Sequence, residues 1–363
     1  MKRRDFAMGV GAAIAAGPLL APAAARADIA WTAAPGRDVS VWDKAWARAA
    51  SGADPALGQT DALVIVQDGT LVYERYGADS GPGVRHISWS MAKSITHALV
   101  GIAVGDGLID IDAPLKLRHA GDPSLTMRHL LTLTDGLAWD EGDYDPAKSD
   151  ATRMLYGEGR FDGAAYVAAK PQAYPPGTHW RYSTGSFHFA AAELQAHLFP
   201  TAVTPEARRR TMADWIQRRL FDPLGMTSAI AEFDAAGTFV GGSLVYATAR
   251  DFARFGEMYR NNGGWDGKQV IPPGWQVFGR RPSQMQPAYG AGWWLETKPG
   301  NGEPSLMRGE GPMETFSAQG HNGQVIAVVL SKRAVVVRLG LMDDGEAAWT
   351  ALSGWLAPVV NAL

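Results

Sequence analysis

His86-Ile87-Ser88-Trp89-Ser90-Met91-Ala92-Lys93-Ser94-Ile95-Thr96-His97-Ala98-Leu99-Val100 places a serine and a lysine three residues apart at the head of an apolar segment. Met91, Ile95, Leu99, Ile102 and Ala103 recur at the spacing of one helical face, and Gly105-Asp106-Gly107 supplies a stop, so the spacing predicts a helix with Ser90 and Lys93 on a shared face. A serine hydroxyl becomes a nucleophile only when a base takes its proton. A lysine serves as that base only where desolvation lets it lose its charge. A lone lysine in the run from Met91 to Val104 suits this need, and a helix start also offers backbone N–H groups, the Ser90 amide among them, to a developing oxyanion. Ser-x-x-Lys also arises by accident, with the lysine snorkelling to solvent, so the rest of the chain must supply the context.

The chain has 363 residues, 46% hydrophobic and 20% charged, an ordinary globular composition with enough length for a large core in one or two domains. Lys2-Arg3-Arg4-Asp5-Phe6, the apolar run from Ala7 to Leu20 and Ala25-Arg26-Ala27 together read as a twin-arginine-type signal over 1–27, cleaved after Ala27, and so as a periplasmic or secreted protein. The run is too short to span a bilayer and is broken by Pro18 and Pro22, so no stable membrane anchor is expected. Removing Lys2, Arg3, Arg4 and Arg26 with Asp5 takes the net charge from −3 to about −6, a poor balance for binding nucleic acid. With no cysteine in the chain, disulfides, thiol catalysis and thiolate metal sites are excluded.

Taken in order, Val39 to Ala50 reads as an amphipathic helix, and 62–67 and 70–76 as strands joined at Asp68-Gly69, a strong hairpin signal. Between 109 and 240 the pattern turns helical, with helices expected over 125–133, 164–170, 186–197 and 205–220. The acidic stretch from Asp140 to Asp145 lacks EF-hand spacing and reads as a solvated loop at a cleft edge rather than a metal site. Arg208-Arg209-Arg210 with Arg218 and Arg219 reads as a solvated helix face. Helical spacing returns over 247–261, strand-like runs follow at 289–296, 324–330 and 334–339, and an apolar helix closes the chain over 346–359. The expected fold is α/β (α+β), an antiparallel sheet flanked by helices and built from 28–108 and 241–363, with a mostly helical domain inserted at 109–240.

Two later stretches could complete a serine–lysine site. Tyr174-Pro175-Pro176-Gly177-Thr178-His179-Trp180-Arg181-Tyr182-Ser183-Thr184 delivers a tyrosine and two hydroxyls after a Pro-Gly turn; a tyrosine beside an ammonium is a competent proton carrier, though a core aromatic is the plain alternative. Gln319-Gly320-His321-Asn322-Gly323-Gln324 precedes the strand-like run at Val325 and either edges the site, with the Gln324 N–H as second oxyanion donor, or forms a hairpin turn at Asn322-Gly323. On these residues alone both readings stand.

Ser90-Met91-Ala92-Lys93, Tyr182-Ser183-Thr184 and His321-Asn322-Gly323, in that order, resemble the three motifs Ser-x-x-Lys, Tyr-x-Asn and Lys/His-x-Gly of the serine β-lactamase and penicillin-binding-protein superfamily. Leu125 to Leu137, Leu220 to Met226 and Ala247 to Gly256 are similar to its class C and esterase branch, and the flanks of Ser90 and His321 to 6-aminohexanoate-dimer hydrolases and carboxylesterases. The resemblance implies a β-lactamase/transpeptidase-like fold and a hydrolase that works through an acyl-enzyme without metal or cofactor. It makes Ser90 the nucleophile, Lys93 its base or relay and Tyr182 the acid for the leaving group, with Ser90 and Gln324 giving oxyanion N–H groups and His321, Gly323 and Thr184 contacting substrate. A small ester or linear amide is the implied substrate; a D-alanyl-D-alanine carboxypeptidase or β-lactamase, and a non-catalytic ligand sensor, are the alternatives. Two departures from the pattern matter. Thr184 stands in place of asparagine, and His321 in place of lysine, where an imidazole holds a β-lactam carboxylate less firmly than a permanent cation.

Overall fold

The computed structural model describes residues 37–363 except 143, 144, 146 and 303. The expected signal at 1–27 and two members of the acidic loop, Asp143 and Tyr144, lie outside the described residues. Strands β1 (Gln59–Gln67) and β2 (Thr70–Tyr76) are joined by Asp68 and Gly69 at φ 52° and 75°, the double positive φ that the twist of a tight hairpin demands. Four later strands, β3 (Trp294–Leu295), β4 (Thr315–Gly320), β5 (Gln324–Val329) and β6 (Ala334–Leu341), complete one sheet in the order β2-β1-β6-β5-β4-β3. Every pairing is antiparallel, and the first strand lies against the last, with Ile65 opposite Val336.

Alternation along the central strands divides the core into two. Ala62, Val64 and Val66 face the cluster that holds the Ala92–Gly105 helix, together with Ile326, Val328, Val335 and Val337. Leu63 and Ile65 face the opposite way, against Trp42 from the Ser40–Ala50 helix and Leu352, Trp355 and Val359 from the Glu346–Asn361 helix. Helices thus cover both faces, and each buried Val, Leu or Ile contributes on the order of 1.5–3 kcal/mol. Residues Ala92 to Ala103 are all buried, because this helix runs through the interior rather than along the surface.

The described residues of 109–240 supply helices at Met127–Leu131, Asp150–Leu155, Gly163–Ala168, Thr184–Leu198 and Pro205–Ile216, and no strand of the main sheet. A single apolar cluster nevertheless runs from the sheet into this region and joins Val64 to Leu125, Phe187 and Leu220. The helices expected at 125–133 and 164–170 are only 5 and 6 residues long. The strand expected over 289–296 narrows to Trp294–Leu295, because Gly292 at φ 74° turns the chain so that Tyr289 bridges back to Trp294. Thr315–Gly320, with its Ser, Ala, Gln and Gly, carries no strand periodicity and is a strand only because β5 and Trp294 pair with it.

Candidate active site

A small sheet of His86–Ile87, Val245–Ala247 and Ile230–Ala231 delivers the chain to Ser88. Ser88 is fully buried; its N–H donates to the Val245 carbonyl at 2.7 Å, and its hydroxyl accepts from the Val245 N–H at 3.0 Å. Anchored there, Trp89–Met91 makes one 3₁₀ turn that presents Ser90 at the head of the Ala92–Gly105 helix. Trp89 sits at φ 43°, a left-handed conformation costly for a bulky side chain and held by its surroundings. Its ring meets the His321 ring edge-on, 5.2 Å between centroids.

Lys93, one turn on, is 2% exposed, and its Nζ donates to Ser90 Oγ at 2.9 Å, Thr184 Oγ1 at 3.0 Å and the Gly242 carbonyl at 2.9 Å. Burial pulls the ammonium down to about 8, against the opposing pull of the Glu141 carboxylate. Tyr182 lies with its ring centroid 4.7 Å from Lys93 Nζ and stacks on Trp294 at 5.6 Å. It is held at the entrance of the Thr184–Leu198 helix, whose cap is the Ser183 hydroxyl accepting from the Ser186 N–H at 3.0 Å. Ser90, Lys93, Tyr182 and Thr184 therefore meet in space from two separate helix starts.

The other motif divides. His321, Asn322 and Gly323 form the loop between β4 and β5, with Asn322 at φ 61° and Gly323 at φ 79°. The stretch is a hairpin turn, and the same turn carries His321 into the cleft. The His321 Nδ1 is in short contact with the Asp344 carboxylate, whose other oxygen accepts from the Asn322 N–H at 3.2 Å. Gly323 and Gln324 do not line the cleft. A Cβ on Gly323 would stand 2.5 Å from Arg338 Nη1, and the Gln324 side chain is spent on β6, with its Oε1 accepting from the Gly340 N–H at 3.1 Å. It is Gly320 that approaches the turn bearing Ser90, for a Cβ there would lie 2.3 Å from the Ser88 carbonyl oxygen.

Arg338, fully buried on β6, fastens this loop from behind. It donates to the carbonyls of Asn322 (3.1 Å), Gly323 (2.9 Å), Leu57 (3.1 Å) and Gln59 (2.9 Å), and burial pulls its guanidinium down to about 10. The cleft in front is about 560 Å³, lined by Ser90, Tyr182, Trp294, Gln319, Gly320 and His321 among others. Arg308 and Glu346 also line it and pair at 2.9 Å.

Sequence reasoning placed the acidic loop at a cleft edge but did not find Glu141. Its carboxylate accepts from the Trp139 indole N–H at 2.6 Å and the Thr184 N–H at 2.9 Å, and takes the Thr184 hydroxyl in a short hydrogen bond. Neither spacing nor composition marks this contact between a loop and a helix start.

The family model described as Beta-lactamase matches residues 57–340. A 6-aminohexanoate-dimer hydrolase of Paenarthrobacter ureafaciens is 24% identical over 224 residues, which cover 60% of this chain and 56% of that protein, so the match spans little more than half the relative's length. A penicillin-binding protein homologue from Caulobacter crescentus superposes with a TM-score of 0.68 at 17% identity, covering 92% of this chain and 99% of that one. A family VIII carboxylesterase does so with a TM-score of 0.64 at 14% identity, covering 91% and 98%. The architecture is the β-lactamase/transpeptidase-like fold, an antiparallel sheet with helices on both faces, and with most of its length matched the chain belongs to the Beta-lactamase family.

Proposed function

We propose that the protein is a serine hydrolase that cleaves an uncharged ester or linear amide through an acyl-enzyme on Ser90. The observation that carries this is the buried Lys93 amine, drawn down to about 8 and 2.9 Å from Ser90 Oγ. Lys93 or Tyr182 takes the Ser90 proton as Oγ attacks the carbonyl carbon; Tyr182 returns a proton to the leaving alcohol or amine, then receives one from the water that releases the acid. The Ser90 N–H and a backbone N–H of the Gln319–His321 edge are the proposed oxyanion donors, the second role passing from Gln324 to the segment that lines the cleft.

The charges in the cleft support an uncharged substrate. His321 is matched by Asp344 and Arg308 by Glu346, so a β-lactam or peptide carboxylate meets no lone cation on these four residues. Relatives that are a 6-aminohexanoate-dimer hydrolase and a carboxylesterase support a linear amide or an ester as the bond cleaved. Export with cleavage after Ala27 belongs to the proposal and is read by the N-terminal sequence of the mature protein.

The test is intact mass after brief exposure to a fluorophosphonate, beside Ser90→Ala, with p-nitrophenyl butyrate turnover on the same samples. A single adduct that is lost in the variant, together with turnover, is the expected result. A folded protein with neither adduct nor turnover would overturn the mechanism and leave the ligand-sensor alternative standing.

A further inference from the structure

Thr184 Oγ1 has one proton and two partners to satisfy. Lys93 Nζ donates to it at 3.0 Å, so the hydroxyl must spend its own proton elsewhere, and that proton goes to Oε1 of Glu141. The other carboxylate oxygen accepts from the Thr184 N–H at 2.9 Å and the Trp139 indole at 2.6 Å. Three donors thus fix the carboxylate, two of them from Thr184 itself, and the hydroxyl has no second orientation that satisfies both neighbours.

We propose that Glu141 is a positioning residue of the site: it holds the Thr184 hydroxyl proton, turns a lone pair of Oγ1 toward the Lys93 ammonium, and so keeps that amine against Ser90. The proposal rests on Ser90 and Lys93 being the nucleophile and base. Glu141 acts through Thr184 and by its charge, and touches no reacting atom. Its negative charge favours the ammonium over the amine and works against burial, so it sets how much of Lys93 is available as a base. Other titratable groups around Lys93 are Tyr182, over the ammonium, and His97, one turn along the helix, which burial keeps uncharged at about 3 and which bonds Tyr259 at 2.7 Å. Tyr289, beside Tyr182, is pushed above the ordinary tyrosine range by burial and by Glu141. Among the described carboxylates, Glu141 is the one whose charge acts on the amine.

Glu141→Gln keeps the shape and removes the charge. Two readouts follow it: the titration of Lys93 by ¹³Cε NMR, assigned with Lys93→Arg, and the pH dependence of Ser90 labelling by a fluorophosphonate. The Lys93 midpoint is expected to fall by about half a unit or more, with the labelling limb moving down in step and its plateau dropping about tenfold. Glu141→Asp, which keeps the charge, should return the midpoint toward the wild-type value. In a Thr184→Val background the plateau loss from Glu141→Gln should largely vanish, since the relay is already cut. Reduced labelling with an unmoved Lys93 midpoint is what a merely structural residue would give, and it overturns the proposal. If the wild type is not labelled at all, the acyl-enzyme reading falls separately, and the Lys93 titration still decides whether Glu141 governs the amine.

Discussion

Lys93 Nζ lies 2.9 Å from Ser90 Oγ, and the lysine that makes this contact is one of the least exposed charged residues of the fold. Its amine is drawn down to about 8, so in the folded state it releases a proton that the unfolded chain retains to near 10.5. Across that window the unfolded state binds more protons, and stability rises with pH; below about pH 8 the penalty is present in full, about 3 kcal/mol. Relative to Lys93→Met, the wild type should therefore gain about 2–3 kcal/mol between about pH 7 and pH 10 in urea melts, while the variant loses at least about 10³-fold in ester turnover. Parallel stability curves for the two proteins would show that the lysine is not desolvated.

The contact between His321 and Asp344 makes a claim about specificity. Replacing the pair by His321→Lys with Asp344→Asn installs an uncompensated cation in the cleft. Acylation by benzylpenicillin, read by intact mass, should rise about tenfold or more relative to p-nitrophenyl butyrate turnover. An unchanged ratio would mean that the substrate carboxylate is selected elsewhere.

Gly320 permits an approach that no other residue allows. Gly320→Ala puts a methyl 2.3 Å from the Ser88 carbonyl oxygen, which forces the end of β4 away from the turn that carries Ser90. A displacement of this order is expected to cost about 10²-fold in kcat with little change in KM. Full activity in a folded variant would mean that this strand edge takes no part in the reaction.

How much of this was legible in the sequence follows from the range of the interactions. Ser90 with Lys93, and Asp68 with Gly69, are signals written within four residues, and local geometry makes them what they are. Tyr182 needed the company of the other two motifs, because by itself a tyrosine after a Pro-Gly turn is an ordinary core residue. Glu141 escaped because it meets Thr184 across 43 residues and carries no periodic signal. The strand at Thr315–Gly320 was hidden because neighbours, not its own side chains, make it a strand. The bend of the last motif was hidden for a physical reason: positive φ at Asn322 and Gly323 turns the chain, so a motif continuous in sequence sends His321 to the cleft and the Gln324 side chain to Gly340.

The buried Arg338 binds the carbonyl of Leu57, 281 positions earlier, while holding the loop that bears His321. Its strand closes the sheet against β1, so segments more than 260 positions apart must find each other before the sheet is complete. Such closure is entropically late and favours slow folding. A nascent chain still tethered to the ribosome short of Arg338 already carries its serine, lysine and tyrosine, yet lacks the strand that braces the loop beside them. A chain cut short of Arg338 would leave the His321 loop without the guanidinium that gathers its carbonyls to those of Leu57 and Gln59, so the last strand to pair is also the one that ties the cleft's edge to the far side of the sheet.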